Sequence, residues 1–77
     1  MRVKIFPPLG CDRSALDAKS WAEMPEGSTV SDVLKLIKCN PVKAKLLLVS
    51  VNGERARLSK ELNDGDVVGF FSLVTGG

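Results

Sequence analysis

Residues 46–53 read Leu-Leu-Leu-Val-Ser-Val-Asn-Gly, and no other stretch leaves this chain so few ways to fold. The first six are leucine, valine and one serine, a strand by length and composition. Asn52-Gly53 then asks for two successive residues with positive φ, the geometry of a two-residue hairpin turn. Residues 54–58 are therefore expected to return beside residues 46–51.

The clearest helical signal lies upstream. Val30, Val33, Leu34 and Ile37 fall at i, i+3, i+4 and i+7, one apolar stripe of an amphipathic helix. Ser31, Asp32, Lys35 and Lys38 lie largely off that stripe. Thr29 suits the N-cap, and Asp32 three residues on completes a capping-box-like pair, with Asp in place of the preferred Glu. Asp32 also suits the positive end of the helix dipole, and Lys38 the negative end. Asn40-Pro41 is expected to end the helix, because proline pushes the residue before it out of the α region.

Weaker signals fill in the rest. Residues 2–6 alternate polar and apolar, so they read as a half-buried strand with Val3 and Ile5 inward. Pro7-Pro8 stops it. Residues 9–17 read as loop and residues 18–24 as a second strand. Residues 58–62 read as a short connector or a single helical turn. Residues 63–66, Asn-Asp-Gly-Asp, read as a tight turn in which Asp64 and Asp66 are turn residues. Residues 67–71 read as the last strand. One helix over one mixed sheet of about five strands is an α+β layout. No repeat, linker or second domain is visible.

Composition narrows the functions open to such a chain. It has 77 residues and no His. That excludes a Ser-His-Asp or Cys-His catalytic unit and any His-containing metal site. So small a domain has little room for a deep pocket, and its role reads as partner, carrier or substrate rather than independent enzyme. With 11 basic and 9 acidic residues the balance is no nucleic-acid signature. The four lysines between positions 35 and 45 read as solvated side chains. Cys11 and Cys39 do not form a CxxC pair, and two ligands cannot hold a structural zinc. Without a secretory signal, they are expected as reduced thiols in the cytoplasm. Cys39 at a helix C-terminus lacks the usual route to thiol activation. Trp21 reads as a core or edge-covering residue. The longest apolar run, residues 46–49, is far short of the about 20 residues of a membrane span.

The sequence closes on Ser72-Leu73-Val74-Thr75-Gly76-Gly77. One reading is a frayed end where small residues are tolerated. The other is chemical. Two residues without Cβ can enter a narrow channel in geometries closed to other residues. A terminal carboxylate is ionised at neutral pH and is a poor electrophile, so it reacts only after activation. Nothing in this chain could activate it, since there is no Walker A motif.

Several segments together resemble a known family. They are Val49-Ser50-Val51-Asn52-Gly53-Glu54, Leu62-Asn63-Asp64-Gly65-Asp66 and the aromatic last strand running from Val68 to Gly76-Gly77. In that order they resemble the ThiS/MoaD-type sulfur carriers, which include the thiamine sulfur carrier and the small subunit of molybdopterin synthase. The resemblance implies a ubiquitin-like β-grasp domain over residues 1–71 and a flexible tail over residues 72–77. It further implies that an adenylyltransferase of the ubiquitin-activating type adenylates the Gly77 carboxylate with Mg-ATP, and that a desulfurase or rhodanese-type donor converts it to a thiocarboxylate. A synthase large subunit or other acceptor enzyme would take the sulfur. Gly77 would be the reacting residue and Gly76 its slender neighbour. The chain itself would bind no metal or cofactor. Its length sits nearer the molybdopterin type, although Ser72-Leu73 stand where that type often has Pro-Pro. A ubiquitin-like protein modifier and a β-grasp interaction module with a silent tail are the competing readings.

Ordering a six-residue tail costs about 1–2 kcal/mol per residue. The body of the domain is therefore expected to dock as well. If Leu47, Val49 and Val51 face the helix, Leu46, Leu48 and Ser50 face away. In the last strand Val68 and Phe70 would face in, Val67 and Phe71 out. Leu46, Leu48, Val67 and Phe71 would then form an exposed apolar patch that meets the partner, joined by the tail residues Leu73 and Val74.

Overall fold

The structure is a computed structural model that describes residues 1–8, 11–40, 42 and 47–72. It contains five strands and one main helix: β1 (Arg2–Phe6), β2 (Trp21–Glu23), α1 (Val30–Leu36), β3 (Leu47–Val51), β4 (Glu54–Ala56) and β5 (Val67–Ser72). The sheet order is β2-β1-β5-β3-β4. β1 runs parallel to β5, and the other neighbours are antiparallel. A mixed sheet with a helix packed on one face is the β-grasp fold.

Alternation along each strand decides what is buried. Val3 and Ile5 of β1, Val49 and Val51 of β3, and Val68 of β5 share the inner face with Ala22 of β2. Val30, Val33, Leu34 and Ile37 of the helical segment join the same cluster, as does Leu62 from the loop before β5. Ile5, Ile37 and Leu62 are among the largest fully enclosed side chains, and burial of each contributes about 1.5–3 kcal/mol.

The helix begins as its sequence dictates. The Thr29 hydroxyl accepts from the Asp32 N–H, and the Asp32 carboxylate accepts from the Thr29 N–H at 2.9 Å. It ends earlier than expected, at Ile37 rather than at Asn40-Pro41. Lys38 adopts φ 52°, the left-handed geometry of a Schellman end. The Cys39 N–H then bonds to the Leu34 carbonyl at 3.0 Å, and Lys38 N–H to Lys35 O at 3.1 Å. Leu34 and Cys39, which hold the apolar positions of that motif, are both buried in the core.

Asn52 (φ 54°) and Gly53 (φ 85°) make the expected tight hairpin. β4 stops at Ala56, shorter than the return over residues 54–58, because residues 57–60 turn with the Lys60 N–H on the Arg57 carbonyl. The connector over residues 58–62 is thus not a helical turn: it continues the turn of residues 57–60 and then bridges from Glu61 to Thr29. β2 is also shorter than residues 18–24. Asp17 and Ser20 form a turn, and the Asp17 carboxylate accepts from the N–H groups of Lys19 and Trp21. β5 runs one residue beyond residues 67–71, to Ser72.

Candidate functional site

The face of the sheet opposite the helix carries the candidate site. Register places its side chains in two rows. Leu48 of β3 stands beside Phe71 of β5, and Ser50 beside Gly69. Gly69 in turn pairs with Phe6 of β1, and Val67 with Lys4. Phe71 is 59% exposed and Phe6 50% exposed. Leu48 and Val67 are half-buried. Three residues of the expected patch, Leu48, Val67 and Phe71, therefore share one face. Leu46, Leu73, Val74, Gly76 and Gly77 lie outside the described residues.

Gly69 shapes the centre of this face. A Cβ there would stand 3.2 Å from the Ser50 hydroxyl and 3.8 Å from the Phe71 ring. The missing side chain leaves room beside the Ser50 hydroxyl that a Cβ would crowd, while the Phe71 ring lies at ordinary contact distance. The result is a low centre between Phe6, Ser50 and Phe71.

β5 reaches Ser72 at the same end of this face. Ser72 pairs with Leu47, the first residue of β3. β5 is fixed at its other end by polar contacts. Val67 N–H donates to the Asn52 side-chain oxygen at 3.0 Å, and Asn52 N–H to the Val67 carbonyl at 2.8 Å. Asp66 accepts from the Asn52 carboxamide and from the Asn63 N–H, both at 2.9 Å. Asp66 is thus a turn residue that also anchors the last strand, and Asp64 accepts from the Arg2 N–H at 2.7 Å.

Phe6 is the residue that sequence reasoning missed. The signal was present: if Val3 and Ile5 point in, alternation sends Arg2, Lys4 and Phe6 out. What could not be read was that β1 lies beside β5, which sets Phe6 across from Gly69.

The remaining singled-out residues lie elsewhere. Trp21 is half-buried on edge strand β2, with the Arg2 guanidinium 5.2 Å from its ring centroid. Cys39 is buried and Cys11 half-buried. Lys38 pairs with Asp12 at 3.4 Å, Lys35 is exposed, and Lys43 and Lys45 lie outside the described residues. Three carboxyls sit below the ordinary range. Asp32 is held down by the Thr29 N–H, Asp17 by the Trp21 N–H, and Asp12 by the Ser14 N–H. Each organises a turn or cap. Among the described residues no three His, Cys, Asp or Glu side chains gather as metal ligands, and no helix is long and apolar enough to cross a membrane.

No curated protein matches the chain. Four solved chains match its fold, three of them as follows. One is a putative molybdopterin converting factor subunit 1 from Pyrococcus furiosus, with 31% identity, 95% of each chain covered and a TM-score of 0.60. Another is the thiamine biosynthesis protein ThiS from Geobacter metallireducens, with 20% identity, 100% of each chain covered and a TM-score of 0.64. The third is SAMP1 from Haloferax volcanii, with 24% identity, 100% of this chain and 98% of that one covered, and a TM-score of 0.61. The sequence model of the ThiS family matches residues 12–77, which include β2 through β5, the outer-face residues Leu48, Val67, Gly69 and Phe71, and the closing Gly-Gly. The chain belongs to the ThiS family of small, ubiquitin-like sulfur carriers.

Proposed function

We propose that this chain carries sulfur on the carboxylate of Gly77 and has no catalytic activity of its own. An adenylyltransferase binds Mg-ATP. A Gly77 carboxylate oxygen attacks the α-phosphorus, and pyrophosphate leaves. A sulfide-level sulfur donor then attacks the acyl carbon, AMP leaves with the C–O electron pair, and a thiocarboxylate remains. A synthase subunit accepts the sulfur, and the Gly77 carboxylate is regenerated by water.

The observation that carries this reading is the reach of the family match, which runs through Gly76 and Gly77. The outer face gives the reaction a place to dock. Leu48, Phe71 and Phe6 offer apolar surface beside the strand that leads into the tail, with Val67 at its base. Leu73 and Val74 extend that contact toward the partner's catalytic centre. Burying several hundred Å² at about 25 cal/mol per Å² offsets the ordering cost of the tail. The molybdopterin type is favoured over the thiamine type on the 31% identity to the putative molybdopterin converting factor subunit. The cytoplasm, which supplies ATP and keeps thiols reduced, is the compartment that suits this chemistry.

ATP–pyrophosphate exchange tests the first step. A cognate adenylyltransferase should exchange label only when the carrier is added, and a chain lacking Gly77 should abolish exchange. Exchange that persists without Gly77 would contradict the reading.

A further inference from the structure

Arg55 and Arg57 stand where the outer face ends. β4 is an edge strand, and register sets Arg55 beside Ser50, in the row that continues through Gly69 to Phe6. Arg57 follows directly on Ala56, where β4 ends, and lines the same cleft as Leu48. Both arginines are exposed. Both line a shallow cleft of about 310 Å³ that also involves Leu47, Leu48 and Leu58, and no acidic side chain lines it. Leu58 is 41% exposed.

What sets these arginines apart is that they share one cleft with leucine side chains and no acid. Arg2 pairs with Asp17 at 3.1 Å and Lys38 with Asp12 at 3.4 Å. Among the described residues neither Arg55 nor Arg57 has an ion pair. A guanidinium is planar, weakly hydrated and shaped for two-point contact with a carboxylate. Two such groups in one cleft with leucine side chains call for an apolar side chain flanked by acids.

We propose that the β4 edge docks an acidic, leucine-bearing segment of a partner protein, its carboxylates on Arg55 and Arg57 and its apolar side chain in the cleft between Leu48 and Leu58. The cleft is continuous with the apolar outer face through Leu48, which stands beside Phe71. Charge complementarity at this margin steers encounter and fixes orientation. A simple anion would meet the guanidiniums but leave the leucines uncovered. This docking does not depend on any chemistry at Gly77.

The test is an amide-shift titration of the isotope-labelled chain with a synthetic acetyl-Glu-Leu-Glu-Leu-Glu-amide peptide. Saturable shifts are expected at Leu48, Arg55, Arg57 and Leu58. Affinity should fall about tenfold in R55E/R57E, less in R55Q/R57Q, and fall with added salt in the native chain. The remaining amide resonances of both variants should stay in place, since both side chains are exposed. Four results would each overturn the proposal. They are no shifts at about 1 mM peptide, equal binding by R55E/R57E, equal binding of the Lys-Leu-Lys-Leu-Lys counterpart, or inorganic phosphate matching the peptide in both shifts and affinity.

Discussion

The Asn52 carboxamide donates from Nδ2 to Asp66 Oδ1 at 2.9 Å, joining two turns that lie 14 residues apart. Its oxygen accepts from Val67, so one side chain ties the β3–β4 hairpin to the start of β5. Two substitutions separate its backbone role from its side-chain role. Asn52→Gly keeps the φ of 54° available and loses only the side-chain bonds, a cost of about 1 kcal/mol. Asn52→Ala also forces a Cβ-bearing residue without a local polar contact into the left-handed region, for a total of about 2–3 kcal/mol. Urea unfolding of both variants checks this, and equal losses would contradict the assigned backbone cost.

Asp32 links the helix cap to pH. The Thr29 N–H holds its folded pKa below the ordinary 3.8. A lowered folded value means the unfolded chain takes up the proton first. The cap's contribution is therefore complete above pH 3.8 and is lost as pH falls through the lower folded value. Asp17 and Asp12 act in the same direction. Stability measured by urea midpoint should decline on the acid side of that point, and Asp32→Asn should flatten part of the decline. Thr29→Ala should cost about 1 kcal/mol at neutral pH.

Lys38 ends the helix with a residue poorly suited to the position. At φ 52° a Cβ is unfavourable, and glycine is the usual occupant. The ion pair from Lys38 to Asp12 is exposed and contributes little. Lys38→Gly should therefore stabilise the domain by about 0.5–1 kcal/mol. A thermal melt should show a higher Tm, and a lower one would mean that the Lys38 side chain matters more than its backbone.

Docking and folding should separate at Leu48 and Phe71. Phe71 is 59% exposed, so Phe71→Ser should leave the urea midpoint nearly unchanged. Leu48→Glu places a charge opposite Phe71 on the same face. On the proposed function, both variants should raise the KM for the carrier in ATP–pyrophosphate exchange by about tenfold, equivalent to about 1.4 kcal/mol of lost binding. An unchanged KM would remove the outer face from the docking surface.

Where local chemistry decides structure, the sequence could be read directly. The stripe from Val30 to Ile37, the Thr29 and Asp32 cap and the Asn52-Gly53 turn are settled within a few residues, and the structure contains all three. The helix end could not be read that way. Lys carries no signal for a left-handed residue, and Asn40-Pro41 offered a plausible but later stop. β2 was blurred because its start is set by Asp17, four residues before Trp21, through side-chain bonds to the backbone. The candidate site was half legible. Alternation alone puts Leu48, Val67 and Phe71 on one side. Phe6 joins them only through the long-range parallel pairing of β1 with β5.

The central claim concerns the atom at the end of Gly77, and intact mass spectrometry reads it most directly. The chain would be incubated with a cognate adenylyltransferase, Mg-ATP and a sulfur donor. The account predicts replacement of one oxygen by sulfur, confined to the C-terminal fragment and absent when ATP is omitted. Covalent attachment to lysines of other proteins in place of that exchange would contradict it, and so would an unchanged mass after Gly77 has been shown to be adenylated.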